Sequence, residues 1–525
     1  MDNNTFINQL NSFYQELKQI VGEFDMDIHI SENKENYDKF LSDIQEIFNV
    51  SNDQSNILSI LKTRKQLGLL PNVNDNWSKD AIHTRYDHSI GVTAKCIVVC
   101  AYLNSKITDN TPKLTEQDIR ELALAAALHD AGHLPISHAV ERAFLSCQED
   151  VAHEERIIRM LLGDNHPLFK DLFDKIRLWK IYEKDDSLLY DSLLRIAYLI
   201  SNNETEKLVT RLKNHYKLKY PKRVLQQLLS SEIDMDRLDF ILRDAEKLKY
   251  TPVILIRDKI LHFIKGLSLK STYCTNKNID YNTELCIDSK YVQYIFTFLV
   301  SRVLMYKDCY FSEKVRGFEG LVTYVVSEFI LHNLPPNSQE LVEYSDEDFC
   351  TKYLKERVQF LPDNDNNPND ENSISTREHI KKQVQAINEN KTNRYKLLYS
   401  IDLKNPHNED DRALIPRLKD ELEEDIYDYA YINDIKNRII KSSGDKMFKR
   451  GEFFIDVFSI KKGEGNLLVN DEKEGMKLLK DYMNGSNIHR LYTKTRLDFY
   501  HKSDLSPARI KDIKEQIINF FYGTK

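Results

Sequence analysis

The sequence predicts a mainly α protein, a long helical core followed by a smaller α+β lobe. Apolar residues recur at helical spacing through the first two thirds of the chain. Residues typical of strands gather near the C-terminus instead, in GEFFIDVFSI (451–460) and IHRLYTKTRLDFY (488–500). At 525 residues the chain is also too long for one compact core.

Taken in order, residues 1–50 read as an N-terminal extension of acidic amphipathic helices, with an apolar stripe of Phe13, Leu17, Ile20, Val21 and Phe24. Residues 51–345 read as the core. The pattern places helices at 55–70, 88–104 (opening near Asp87), 118–131, 153–163, 187–201, 223–230, 233–248, 253–266, 289–308 and 313–333. Gly132 and Pro135 stop the helix of 118–131, and Ser137 is placed to cap the next one. Residues 346–525 read as the C-terminal lobe. It holds a polar, turn-rich linker or loop, LPDNDNNPNDENSIS (361–375), and a second polar patch, LKNPHNEDDR (403–412). A closing helix spans 506–523, with Ser506 as cap and Pro507 in its first turn.

The net charge of −8 argues against a general nucleic-acid binder. It leaves room for a local basic pocket. The basic stretch RLKNHYKLKYPKR (211–223) reads either as a solvated connection or as an anion site, for an effector nucleotide or a single strand stacked on Tyr216 and Tyr220. Seven cysteines without a CxxC pair point to a reducing compartment, with Cys96 and Cys100 as small buried hydrophobes. The N-terminus lacks a basic, apolar leader pattern, and YIFTFLVSRVLMY is interrupted by Arg302 and too short to span a bilayer. The expectation is a cytoplasmic protein with no membrane partner. Neither GxxxxGK[ST] nor GxSxG occurs.

The chemistry gathers at LALAAALHDAGHLPISH (122–138), where an apolar helix ends in His129, Asp130, His133 and His138. On a helix His129 and Asp130 are about 100° apart and can reach one ion, and His133 faces the same way if the helix lasts that far. Buried polar groups of this kind are costly unless something satisfies them, and a divalent metal does. HTRYDHSIGV offers His88, with His83 nearby, and EIDMDRLDFILRD offers Asp234, Asp236, Asp239 and Asp244. Each stretch alone has a plainer reading, as a satisfied core histidine or a solvated helix face. The three together are far more specific.

The ordered set R-x-x-H (Arg85 to His88), HD-x-GH (His129 to His133) and D-x-D-R-x-D (Asp234 to Asp239) resembles the HD-domain phosphohydrolases. More closely, it is similar to deoxynucleoside triphosphate triphosphohydrolases of the SAM-and-HD-domain type. KQLGLL, LHDAGHLPISHAVE and AHEE match that family's segments in order, though no SAM module is recognisable in residues 1–50. The resemblance implies an HD-domain helical core and hydrolysis of a dNTP to deoxynucleoside and triphosphate.

Residue by residue, the resemblance implies that His88, His129, Asp130 and Asp236 hold one divalent metal. Imidazoles with carboxylates suit Mn, Fe, Ni or Mg better than a closed zinc site. Proton transfer falls to His133, His138 and His153, with Glu141, an Asp in the family, orienting one of them. Gln66 and Asp244 take the sugar 3′-hydroxyl, and Leu67 and Tyr310 crowd the 2′ carbon. Arg85, Arg237 and Arg302 neutralise the triphosphate. Arg237 replaces a family Lys, Phe240 a Tyr, and Tyr306 a His among the substrate contacts. The resemblance further implies a homo-oligomer, an effector nucleotide and control of nucleotide pools, with antiviral defence as an extension of that role. Two alternatives stay open: another HD phosphohydrolase (a nucleotidase or single-strand nuclease), or a nucleotide-binding sensor with little turnover.

Overall fold

The computed structural model describes residues 5–50, 56–73, 80–108, 111–146, 153–163, 167–177, 179, 186–201, 222–231, 233–272, 282–334, 338–362, 376–389, 395–402, 453–459, 468–470, 495–502 and 505–522. The principal helices are α1 (Thr5–Val21), α2 (Lys34–Phe48), α3 (Arg85–Ser105), α4 (Glu116–Leu128), α5 (His138–Ser146), α6 (His153–Leu162), α7 (Asp186–Ile200), α8 (Met235–Leu248), α9 (Arg257–Lys265), α10 (Val292–Leu304) and α11 (Glu313–Leu331).

α3 is the axis of the core. Almost all its residues are buried, as expected of a helix packed on every side. α1, α4 and α8 lie against it. Its start is fixed by a capping box, in which Thr84 accepts from the Asp87 amide and the Asp87 carboxylate accepts from the Thr84 amide. The helix therefore opens at Arg85, slightly earlier than the sequence pattern indicates, and carries Arg85 and His88 in its first turn. α4 has the same device, from Thr115 and Asp118. Cys96 and Cys100 are fully buried in α3.

Among the described residues, two three-stranded sheets accompany the helices. β1 (Leu267–Thr272) and β2 (Asn282–Asp288) form an antiparallel pair, and β5 (Leu468–Asn470) adds to β2 in parallel, Cys286 opposite Leu468. In the second sheet β3 (Tyr395–Asp402) and β4 (Phe453–Ser459) flank β6 (Thr495–Lys502), both antiparallel to it. The molecule is thus mainly α with a small β component. The closing helix runs Pro507–Tyr522, and the Ser506 hydroxyl accepts from the Arg509 amide, as the sequence indicates.

Several boundaries differ from the sequence reading. The helix expected at 55–70 is two short ones, Ile57–Leu61 and Leu70–Val73, because Gly68 takes a left-handed φ of 50° between them. That expected at 253–266 breaks into Thr251–Ile254 and Arg257–Lys265. α4 ends at Leu128 rather than at residue 131. Ser137 does not cap α5 with its side chain, because its hydroxyl accepts from Arg85 Nε and Nη2 at 3.0 and 2.9 Å. Most of the polar linker, the patch at 403–412 and most of the basic stretch at 211–223 lie outside the described residues. Among the described residues, no helix is long and apolar enough to cross a membrane.

Candidate metal centre and its cleft

The site forms where the start of α3, the turn after α4 and the start of α8 converge. The ligand atoms of His88, His129 and Asp236 all lie within 4.8 Å of one another. Asp236 Oδ1 is 3.0 Å from His88 Nε2 and 3.5 Å from His129 Nε2. Asp130 flanks the group, 3.8 Å from His88 Nε2 and 3.6 Å from His129 Nε2. It also accepts from Arg85. The structure therefore brings together the four residues expected to bind metal.

The donor set fits a divalent cation. His88 Nδ1 donates to Asp239 Oδ2 at 2.8 Å, and His129 Nδ1 donates to the Ala126 carbonyl at 2.8 Å. With Nδ1 so engaged, each ring turns Nε2 toward Asp236, where loss of its proton would leave a lone pair for a metal, the arrangement that tunes metal-binding imidazoles. His129 Nε2 is buried and has no hydrogen-bond partner among the described residues. Burial opposes charge on His88, yet Asp236 and Asp239 push its pKa up to about 10. Asp130 stays well below the usual carboxylate range: burial opposes its charge, but Arg85 and His129 prevail. Imidazoles and carboxylates that shift one another this far make the cluster a candidate functional site.

His133 does not share the His129 face, since the helix stops before it. A turn carries it sideways, with Nε2 3.3 Å from Asp130 Oδ1 and its ring stacked on His153 at 3.8 Å. Gly132 makes this stacking possible. A Cβ there would meet the His153 carbonyl oxygen at 2.1 Å, so only glycine lets α6 approach the turn. Ile136 and Ser137 then both take left-handed conformations, at φ 55° and 49°. Such residues cost about 1–3 kcal/mol each, and here the corner delivers the Ser137 hydroxyl to Arg85 and starts α5 at His138.

Glu141 organises a second cluster beside the first. It accepts from the His153 amide at 2.8 Å, and its oxygens lie 3.2 Å from both His153 Nδ1 and His138 Nδ1. Burial opposes charge on Glu141, but His153 and His138 hold it well below the usual carboxylate range. Burial also opposes charge on His153, yet Glu154 and Glu141 push its pKa up to about 9. His133 goes the other way, pressed far below neutrality by burial, Arg85 and His153. The cluster thus stacks an imidazole held toward its charged form on one held toward its neutral form.

The expected sugar-binding residues form a connected chain. The Gln66 backbone N–H donates to the His83 backbone carbonyl at 3.0 Å, and His83 Nε2 is 2.6 Å from Asp244 Oδ1. The Tyr310 hydroxyl donates to Asp244 Oδ2 at 2.6 Å. Gln66 Oε1 is a buried acceptor with no partner among the described residues, and Leu67 is buried beside it. Phe240 links the two regions, its ring centroid 6.3 Å from Tyr310 and 6.5 Å from His88. Tyr306 stands 5.2 Å from Tyr310, with the Arg302 guanidinium 5.5 Å over its ring. Arg237 departs from expectation. Its guanidinium is tied back to Asp234 and the Ser231 carbonyl.

Sequence reasoning took Ser137 for a cap and named His83 and Asp239 only as neighbours of the ligand set, without the contacts they make here. Asp239 had a usable signal, standing i+3 from Asp236 on one helix. His83 and Ser137 had none, because their roles arise from contacts across the fold.

An HD-domain family model matches residues 85–248, the span from α3 through α8. The chain is similar to an uncharacterized protein, MG461, of Mycoplasma genitalium, at 28% identity over 251 residues, 48% of each chain. A deoxynucleoside triphosphate triphosphohydrolase SAMHD1 homolog of Dictyostelium discoideum is 22% identical over 259 residues, 47% of this chain and 40% of its own. The chain thus spans about half the length of the curated relatives it matches. A crystal structure of a Bacteroides thetaiotaomicron phosphohydrolase superposes with a TM-score of 0.49 and 18% identity, covering 87% of this chain and 94% of that one. The span that carries the His/Asp cluster, residues 85–248, is therefore the part of the chain that matches an HD domain.

Proposed function

We propose that this chain hydrolyses deoxynucleoside triphosphates to deoxynucleoside and inorganic triphosphate. One juxtaposition carries the reading: a His/Asp cluster suited to a divalent metal adjoins a Glu141-bridged histidine pair through Asp130 and His133, and the His83–Asp244–Tyr310 hydrogen bonds through Phe240. The relative from Dictyostelium, named for that activity, supports it.

His88, His129, Asp130 and Asp236 would hold the metal. When bound, the metal supplies Lewis acidity toward a phosphate oxygen and lowers the pKa of water. Arg85, at the edge of the cluster on Asp130 and Ser137, meets charge that grows on the α-phosphate. The His153–Glu141–His138 relay holds a proton at neutral pH for the departing 5′-oxygen, a role suited to a positioned imidazolium. His138 forms its solvent-facing end. Asp244 is held by His83 and Tyr310 for the 3′-hydroxyl, and Gln66 Oε1 offers a second acceptor. The Tyr310 ring bars a 2′-hydroxyl by clash.

The test is product identity. Mn-loaded protein is incubated with each dNTP, each rNTP and a labelled oligonucleotide. Intact triphosphate released from a dNTP is the expected result. Release of monophosphate, a shortened oligonucleotide, or binding without product from any dNTP mixture would overturn the proposal.

A further inference from the structure

Asp239 lies one turn beyond Asp236 on α8 and is almost fully buried. Its carboxylate accepts from His88 Nδ1 at 2.8 Å, from Lys95 Nζ at 2.7 Å, and from Arg243 Nε and Nη2 at 2.8 and 2.9 Å. A buried charge cluster of this kind holds its geometry only when every member is satisfied and water is kept out.

The closure comes from α1. Gln9 Oε1 accepts from Arg243 Nη2 at 2.9 Å. The buried Phe13 ring lies 5.0 Å from Lys95 Nζ, a cation–π distance. Arg257 on α9 clamps the same helix through Glu16, Nε to Oε1 at 2.6 Å and Nη2 to Oε2 at 3.0 Å. On the far side Gly91 of α3 makes room, since a Cβ there would meet Arg243 Nη2 at 2.0 Å and Asp239 Oδ1 at 2.1 Å. Four helices thus close on one carboxylate, and that carboxylate fixes the ring and the tautomer of His88.

We infer that α1 is a positioning element of the metal centre, with Gln9 and Phe13 completing the cage through which Asp239 orients His88. The inference rests on the reading of His88 as a metal ligand and on nothing further in the proposed reaction. A carboxylate behind a ligating imidazole sets both its direction and its basicity. A helix that keeps this carboxylate dry and immobile therefore acts on metal affinity from a distance.

The experiment uses the full chain and Mn²⁺ alone, with affinity measured by titration calorimetry and melting temperature measured in parallel. Asp239→Asn should weaken Mn²⁺ binding by roughly 10–100-fold. Gln9→Ala should weaken it by about threefold to tenfold, a fraction of that range. Gln9→Glu, which keeps an acceptor for Arg243, should restore it. Gln15→Ala, on the exposed side of α1, should change nothing. In the Asp239→Asn background Gln9→Ala should add no further loss, because both act through one carboxylate. Phe13→Leu tests the Lys95 contact with most of the core packing kept. Unchanged Mn²⁺ affinity in Gln9→Ala would overturn the inference, as would an equal loss in the Asp239→Asn background or a lowered melting temperature alone. These outcomes concern metal affinity, whereas the proposed reaction fails on the products of the wild-type protein, so the two failures are distinguishable.

Discussion

Replacing Gly132 with alanine tests the site at its tightest approach. The new Cβ would stand 2.1 Å from the His153 carbonyl oxygen and 3.0 Å from the Ile157 amide nitrogen. Both are backbone atoms, so no side chain can swing aside. Contacts under 3.0 Å are essentially never seen for real Cβ atoms, so α6 must move by close to an ångström. Overpacking of this kind costs about 1–3 kcal/mol. In a domain of this size each kcal/mol lowers the melting temperature by roughly 2–4 °C, which gives a drop of roughly 2–12 °C. The displacement falls on the end of α6 that carries His153, breaking its stacking on His133 and its bonds to Glu141. Hydrolysis should fall by ~10²-fold or more, the usual worth of an acid–base group. Mn²⁺ affinity should hold within about threefold, since His88, Asp236 and His129 lie on the other side of the turn. Scanning calorimetry, Mn²⁺ titration and a dNTP assay together give the answer. A Gly132→Ala protein with wild-type melting temperature and rate would refute the packing described here.

Other outcomes follow from the same geometry. His129→Ala and Asp130→Ala should abolish both bound metal and turnover, measured by metal analysis and product release; metal retained in His129→Ala would place the centre elsewhere. His138→Ala should spare the metal and cost ~10²-fold in rate, whereas a near-normal rate removes it from the reaction. His153, with its pKa pushed up to about 9, contributes stability that is complete below its unfolded value near 6.5 and is lost as pH rises through 9. Melting temperature should therefore fall between pH 7 and 9, and Glu141→Gln should flatten that decline by removing one of the carboxylates that raise it. Tyr310→Ala should raise turnover of rNTP relative to dNTP by at least ~10-fold, and an unchanged ratio would exclude Tyr310 from sugar selection.

The helical core was readable because it depends on short spacing, whereas the expected metal-binding set came from a resemblance carried by three separate stretches, whose side chains the fold brings together. The apolar run of α4 ends in adjacent His129 and Asp130, and DMDRLD puts Asp236 and Asp239 on one helix. Positions fixed by long-range contact were less readable. Ser137 looks like a cap, yet Arg85 from α3 takes its hydroxyl and turns it into a support for Asp130. His133 at i+4 from His129 suggests a shared face, but the early end of α4 rotates it onto His153. The short strands β1, β2 and β3 escaped notice because brief alternation amid helices carries little signal until a partner strand is present. The amphipathic stripe of α1 was visible, while its link to His88 runs through Lys95 on α3 and through Asp239 and Arg243 on α8, all far from α1 in the chain.

β5 bears on how the polypeptide can be divided. Leu468–Asn470 comes from some 180 positions beyond β2, yet hydrogen-bonds along its border at Cys286–Asp288. A cut anywhere between them leaves two pieces that still share a ladder. A truncated chain ending before it exposes a raw sheet margin, an invitation to self-association.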